Sequence, residues 1–195
     1  MITLGNKKLA KNCMIFNLRP AIECPADKLG LCPHSKDCYA KRDERQYPST
    51  QSFRYRQENF YSAMSVEKIV GFFIGMIYTK DGNKFPITEI RFSEAGDFLN
   101  QDEVNKFTDV FTSMKENFPN IRIYGYTARK DLNFANMVKV AVVNGSNAMI
   151  SNHYKIVDKI DKSKPYCNGD CTKCNLCKIE RGITIQVKLN KRGRE

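Results

Sequence analysis

Apolar residues recur at strand or helix spacing along most of the chain, and the first half predicts one strand followed by two helices. Residues Asn12 to Leu18 predict a strand, and residues Ser49 to Met64 have the period of a helix. Ser65 is well placed to cap a second helix. The apolar stripe of that helix consists of Ile69, Val70, Phe73, Met76 and Ile77. We expect both helices to cover a sheet.

The middle of the chain predicts a strand, a helix and a further strand. Asp81-Gly82 predicts a turn, and Ile87 to Ser93 alternates as a strand does. Asn100, followed three residues later by Glu103, has the pattern of a capping box at the start of a helix. The stretch from Ile121 to Thr127 predicts the next strand. A strand followed by a helix is therefore the repeating unit.

The last third continues this pattern. Asp131 is expected to cap a helix that runs through Val143 and turns at Gly145. Further strands are predicted over Asn147 to Ser151 and over Ile183 to Leu189. Successive strand–helix units predict an α/β protein with a mostly parallel sheet and right-handed crossovers.

Size and charge limit what the protein can be. The chain has 195 residues, 42% of them hydrophobic, which predicts a single globular domain over residues 1–195. The longest apolar stretch, Ile69 to Tyr78, is too short to span a bilayer, and no signal peptide is recognisable, so we expect a soluble cytosolic protein. The formal charge of +11 predicts an anionic partner or cofactor. The basic residues 188–195 are expected to form a flexible tail.

The C-terminal cysteines are the strongest chemical signal in the chain. Cys171, Cys174 and Cys177 have the Cys-x2-Cys-x2-Cys spacing by which bacterial ferredoxins hold a cubic 4Fe-4S cluster, and Cys167 is a candidate fourth ligand. A structural zinc site usually pairs two cysteine knuckles across a loop, which this run lacks. Zinc and redox-active or inert thiols stay open as alternatives, whereas a reducing cytosol disfavours disulfides.

A second cysteine group lies near the N-terminus. Cys24, Cys32 and Cys38 have the spacing Cys-x7-Cys-x5-Cys on a loop that contains Gly and Pro. Three thiols suit a cluster whose fourth iron is open to water, a substrate, Cys13 or His34. The alternatives are a site shared with the C-terminal cysteines and a separate zinc site.

One basic segment could contact nucleic acid. Residues Arg42 to Arg56 interleave cations with aromatic rings, as in surfaces on which a nucleic-acid strand stacks. The alternative is a solvated helix face with its rings packed inward, because Phe53, Gln57 and Phe60 fall on one stripe.

Further candidates follow from the predicted sheet, because parallel α/β sheets bind ligands at the carboxyl ends of their strands. Glu94 and Asp97 are candidates for binding a cofactor amine or for acid–base work, and the alternative for them is a turn or helix cap. Tyr126 and Arg129 are candidates for contacting substrate, or else for packing and solvation. His153 is a candidate cluster ligand or proton carrier, or else only the end of a strand.

Several short motifs occur in a characteristic order along the chain. These are the N-terminal cysteine loop, Cys38-Tyr39-Ala40, the run from Arg91 to Phe98, Tyr126-Thr127-Ala128-Arg129 and the C-terminal cysteines. Together, from about Lys11 to Leu189, they make the chain resemble the phage-associated gene product 88 family. That family is similar to radical S-adenosylmethionine proteins in its layout of a cysteine loop followed by strands.

The resemblance implies a partial (incomplete) parallel α/β barrel with two cysteine-rich cofactor loops. By this analogy Cys24, Cys32 and Cys38 hold an open 4Fe-4S cluster, and Gly96 and Asp97 meet the amino group of S-adenosylmethionine. The expected function is that of an iron–sulfur protein of phage or mobile-element type in the cytosol of a bacterial host and, if it is an enzyme, a redox or radical enzyme. The alternatives are a nucleic-acid-binding regulatory protein with structural or redox-sensing clusters and a zinc-stabilised interaction module.

Overall fold

The computed structural model describes residues 1–79, 86–147 and 149–188, and these ranges contain a seven-stranded sheet whose strands follow one another in chain order. The pair β1–β2 is antiparallel, and all other neighbouring pairs are parallel. The predicted mostly parallel α/β sheet is thus confirmed. The strands are β1 (Thr3–Asn6), β2 (Leu9–Phe16), β3 (Glu89–Phe92), β4 (Arg122–Thr127), β5 (Val142–Gly145), β6 (Asn152–Val157) and β7 (Thr184–Lys188).

The long helices form where apolar residues recur at helical spacing. Asn100 caps the helix after β3, because its side-chain oxygen accepts a hydrogen bond from the backbone N–H of Glu103 at 3.0 Å. The Glu103 carboxylate accepts from the backbone N–H of Leu99, so the reciprocal half of the predicted capping box is displaced by one residue. The helices of the described residues are α1 (Pro25–Lys28), α2 (Tyr39–Gln46), α3 (Pro48–Ala63), α4 (Val66–Tyr78) and α5 (Gln101–Asn117).

The two faces of the sheet bury different residues, because successive strand residues point to opposite sides. On the helix face, Phe16 of β2 packs against Phe73 of α4 and Phe107 of α5, with ring centroids 5.3 and 5.4 Å apart. On the opposite face, Cys13 and Tyr124 pack in a smaller apolar cluster. We call this second side the loop face, because a long loop covers it.

The predicted helix from Asp131 to Val143 is wrong. The described chain there contains turns and a single 3-10 turn, Met137–Lys139, before β5 begins at Val142. The side chain of Asn133 accepts a hydrogen bond from the N–H of Ala135, a local bond that competes with a helix. Gly145 accordingly ends a strand and does not terminate a helix.

The predicted strand over Asn147 to Ser151 is also wrong, and residue 148 lies outside the described residues. Asn147 forms a turn, in which its side-chain oxygen accepts from the N–H of Met149 at 2.7 Å. The strand begins at Asn152, so His153 lies within β6 and not beyond a strand end. The short strand β1 was not predicted.

Two predictions fall outside the described residues: the turn at Asp81-Gly82 and, except for Lys188, the basic tail. Leu189, the predicted end of the last strand, lies outside them as well. In the part of the chain that the structure describes, none of the helices combines the length and apolar character needed to cross a bilayer.

Replacing Gly145 by alanine is expected to destabilise the protein by about 1–3 kcal/mol, because overpacking against backbone cannot relax by a rotamer change. Gly145 has a φ of 153°, and an added Cβ would lie 1.8 Å from the carbonyl oxygen of Thr127. Thermal denaturation should register a fall of roughly 2–12 °C. The control is Gly71→Ala in α4, where an added Cβ meets nothing within 4 Å, and which should raise the midpoint slightly. Equal midpoints for the two variants would contradict this reading.

Candidate functional site

The C-terminal cysteine loop, residues 158–183, leaves the end of β6 and folds back over the loop face. The backbone N–H of Cys167 donates to the carbonyl of Gln186 on β7 at 2.8 Å. The side chain of Asn144 on β5 donates to the carbonyl of Cys177 at 2.9 Å. These bonds fix both ends of the cysteine run against the sheet.

All four cysteines of this loop line one pocket. Its floor is formed by Tyr124 and Tyr126 of β4 and by Ile185 of β7. The four cysteines that line it are Cys167, Cys171, Cys174 and Cys177. Four thiols facing one largely apolar pocket are a donor set that fits a cubic cluster.

The thiol of Cys177 is also hydrogen-bonded. Its Sγ atom lies 2.9 Å from the hydroxyl oxygen of Tyr154, and the nearby hydroxyl of Tyr126 also acts to lower the pKa of Cys177. Burial raises the pKa of Cys177 and of Cys171, which disfavours the free thiolates. Because a bound metal displaces the thiol proton, any metal in this pocket must bind strongly enough to offset that burial.

A buried ion pair ties the C-terminal cysteine loop to the sheet. The Nζ atom of Lys178, next to Cys177, lies 2.9 Å from the carboxylate of Glu89 on β3, and both side chains are 7% exposed. The same ammonium stands 5.8 Å from the ring centre of Tyr124. Lys178 thus anchors the C-terminal cysteine loop to the sheet.

The N-terminal cysteine loop, residues 17–38, follows β2. Cys24 immediately precedes α1 and Cys38 immediately precedes α2. Burial raises the pKa of the Cys24 thiol to about 12, and the nearby backbone amides of Asp27 and Ala26 oppose this shift. The backbone amide of His34 likewise acts to lower the pKa of Cys32, which burial raises. Amide donors of this kind stabilise ligand sulfurs in iron–sulfur sites.

The three N-terminal thiols lie in one region of the loop. Cys32 is close enough to both Cys24 and Cys38 for charge on one to raise the pKa of another, after the larger effect of burial. Burial also lowers the pKa of His34, which favours its neutral, ligating form. Cys13 is separate from this group: it lies fully buried on β2, and its thiol is 3.7 Å from the hydroxyl of Tyr124.

A second buried ion pair holds the N-terminal loop. Glu44 of α2 accepts from the backbone amides of Ala21 and Ile22 at 2.7 and 3.2 Å. Its carboxylate also binds Arg54 of α3 at 2.7 Å. Arg54, part of the basic aromatic segment, is therefore occupied inside the protein, and Gln57 is fully buried on the same helix.

The turn after β3 packs directly on this loop. The N–H of Ala95 donates to the side chain of Asn17 at 2.7 Å. Gly96 has a φ of 72°, and an added Cβ would lie 2.5 Å from the carbonyl oxygen of Arg19. Only glycine therefore fits this approach, and the turn that carries Asp97 is brought to the N-terminal cysteines.

Asp97 is buried and is surrounded by hydrogen-bond donors. Its two carboxylate oxygens accept from the hydroxyl of Thr127 at 2.8 Å and from the amides of Phe98 and Ala128 at 2.9 and 2.7 Å. Burial outweighs these bonds and raises the pKa of Asp97 to about 6. A carboxylate offers about four acceptor positions, so one stays free for another donor.

Replacing Asp97 by asparagine is expected to flatten the dependence of stability on pH. The pKa of the folded state is raised from 3.8 to about 6, so the unfolded chain loses its proton first. Wild-type stability should then fall by about 1.4 kcal/mol per pH unit as the pH rises from about 4 to 6, and Asp97→Asn should lack that contribution. Denaturant unfolding of the metal-free, reduced proteins at pH 5 and 7 tests this, and parallel profiles would contradict it.

Arg129 and Glu94, two further candidates that follow strands, form hydrogen bonds to other parts of the protein. Arg129 forms a two-point contact with Asp131 and also donates to the carbonyl oxygen of Leu99, so its guanidinium joins the loop after β4 to the loop after β3. Glu94 accepts from Asn6 at 2.9 Å, and its carbonyl oxygen accepts from the hydroxyl of Tyr39 at 2.6 Å.

Tyr126 and His153 lie on the sheet itself. Tyr126 stands on the loop face, where its ring centre is 5.5 Å from that of Tyr154. His153 is half-buried and donates its backbone N–H to Ile183. The structure therefore brings Tyr126 to the C-terminal cysteines and Asp97 to the N-terminal ones.

Three residues of the site were not predicted as candidates: Arg91, Tyr154 and Lys178. The sequence did contain a signal for Arg91, because a charged side chain in the middle of a short apolar strand needs a buried partner. It contained no such signal for Tyr154, because the strand that contains Tyr154 was predicted at the wrong residues. Lys178 resembles any other lysine of a basic loop until the fold brings it to Glu89.

No three His, Cys, Asp or Glu side chains in the described ranges are grouped as ligands of one metal ion. The fold and its thiols define an α/β protein with two cysteine-rich loops against one sheet. The family model of gene product 88 matches residues 1–178, so the chain belongs to that family. The predicted family is thus confirmed over a range that includes Cys177. No curated protein and no solved structure matches the chain.

Proposed function

We propose that the protein is an iron–sulfur protein that carries a 4Fe-4S cluster in the pocket of Cys167, Cys171, Cys174 and Cys177. One observation carries the proposal: all four of these thiols line a single pocket on the loop face. A cubic cluster distributes its thiolates over four irons, and therefore does not require them to converge on one centre as zinc does. When bound, such a cluster exchanges single electrons.

The residues around the pocket suit this cofactor. Tyr124, Tyr126 and Ile185 form a floor that shields one side from water. Lys178 and Arg91 place buried cations near the thiolates, where they would offset the negative charge of a bound cluster. The pair Lys178–Glu89 holds the cysteine run in position.

A second cluster is proposed on Cys24, Cys32 and Cys38, with one iron open. The packing of the turn Ala95-Gly96-Asp97 on this loop supports S-adenosylmethionine as the ligand, because Asp97 keeps one acceptor position for an amino group. The unbroken chain order of the parallel strands also supports a partial barrel. With this ligand the protein would be a redox or radical enzyme in a bacterial cytosol.

The test is anaerobic purification with iron, sulfide and zinc measured per chain. We expect about eight irons with matching sulfide, and an electron paramagnetic resonance signal that changes when S-adenosylmethionine is added. About four irons without that response would restrict the proposal to one cluster and exclude the enzyme. Zinc without sulfide would overturn it in favour of a zinc-stabilised module.

Nucleic-acid binding is a second candidate function, favoured by one exposed site. Tyr47 is 54% exposed and follows the exposed Arg45, so a base could stack there beside a cation. The buried Arg54 does not contribute. Binding of single-stranded DNA that weakens steeply with salt, and that is lost in Arg45→Ala, would support this function. Binding that is insensitive to salt would exclude it.

A further inference from the structure

The polar groups near Cys171 and Cys177 come from three different strands. Tyr154 of β6 lies 2.9 Å from the Cys177 sulfur, and the ring of Tyr126 of β4 packs beside Tyr154 with ring centres 5.5 Å apart. A ligand thiolate has no proton, so the Tyr154 hydroxyl must be the donor in this contact. Arg91 of β3 stands 5.0 Å from the ring centre of Tyr126.

Arg91 is a buried cation whose charge and hydrogen-bond donors are only partly paired. Its side chain is 11% exposed, and its carboxylate partner, Glu94, lies 3.4 Å away. The Nε atom of Arg91 is buried and has no hydrogen-bond partner among the described residues. The charge of Arg91 also acts on Cys171. A guanidinium left in this state favours additional negative charge nearby.

One-electron reduction supplies such charge. A 4Fe-4S cluster with four thiolates carries a charge of about −2 when oxidised and about −3 when reduced, so donors and cations at its sulfurs stabilise the reduced form more. We propose that Tyr126, Tyr154 and Arg91 raise the reduction potential of the C-terminal cluster. These are positioning and tuning residues, and the inference rests on the proposed function.

The sequence offers a matched control in Tyr124, the neighbouring tyrosine of β4. Tyr124 also lines the pocket, but its hydroxyl faces Cys13, with 3.7 Å between oxygen and sulfur. Tyr124→Phe and Tyr154→Phe each remove one phenolic hydroxyl from the loop face. They differ in whether that hydroxyl contacts a predicted ligand sulfur.

The experiment is an anaerobic redox titration with dithionite, followed by electron paramagnetic resonance. The step of the C-terminal cluster is identified as the one that disappears in Cys171→Ser/Cys177→Ser. In Tyr154→Phe we expect the ratio of reduced to oxidised cluster at a given potential to fall at least tenfold, which is about 59 mV for one electron. Tyr126→Phe should act in the same direction, and Tyr124→Phe should match wild type.

Each other outcome counts against the inference. Full iron content with unchanged potentials in Tyr154→Phe and Tyr126→Phe would overturn it, as would an equal shift in Tyr124→Phe. Loss of the cluster in both tyrosine variants would assign the hydroxyls a structural role instead. Absence of iron and sulfide from the wild-type protein would instead overturn the proposed function itself.

Discussion

Replacing Cys171 and Cys177 together by serine is expected to halve the iron and sulfide content, from about eight to about four irons per chain. Both residues line the pocket of four thiols on the loop face. Serine binds iron far more weakly than a thiolate does, and two of four ligands cannot hold a cubic cluster. The cluster proposed on the N-terminal loop should persist, because none of its cysteines is changed.

The matched control for this prediction is Cys13→Ser. Cys13 is a fully buried cysteine whose thiol contacts the carbonyl of Met14 and the hydroxyl of Tyr124, both at 3.7 Å. Cys13 does not line the pocket of the four C-terminal cysteines, so the iron content should equal that of wild type. Complete loss of iron from the double variant would point to one site shared by the two cysteine groups, and an unchanged content would exclude Cys171 and Cys177 as ligands.

Replacing Lys178 by methionine is expected to destabilise the protein by about 3–5 kcal/mol, the usual cost of removing one partner of a buried ion pair. Glu89 would stay buried, and within the described ranges its remaining ion-pair partner would be Arg122, at 3.4 Å and with its side chain 53% exposed. For a chain of this size the thermal midpoint should fall by roughly 6–20 °C. Circular dichroism of the anaerobically purified protein measures this fall.

Two further variants separate charge burial from other effects. Lys173→Met changes an exposed lysine of the same loop and should shift the stability by no more than about 0.5 kcal/mol. In Glu89→Gln/Lys178→Met the uncompensated carboxylate is gone, so much of the lost stability should return. A double variant as unstable as Lys178→Met alone would show that the ammonium acts through packing and not through its charge.

The helices were predicted correctly where the apolar repeat extends over several turns. The helix α5 buries an apolar stripe from Val104 to Met114 that recurs over about three turns, and α4 buries Ile69 and Phe73 one turn apart; such a period is visible in the sequence alone. Between Asp131 and Val143 the apolar residues have a similar spacing, but no long helix forms there. The side chain of Asn133 bonds the backbone locally, and Val143 pairs with Gly125 as part of the sheet. Strand pairing between distant residues leaves no local periodic signal.

The sequence alone determined the family, the order of the main elements and which cysteines form two groups, because these depend on spacing along the chain. Only the tertiary structure decided that the C-terminal loop covers the sheet, through contacts such as Glu89 with Lys178, which are 89 positions apart. It also placed Arg91 and Tyr154 near the cysteines and surrounded Asp97 with donors. Buried charges and hydroxyls need specific partners, and those partners become neighbours only when the chain has folded.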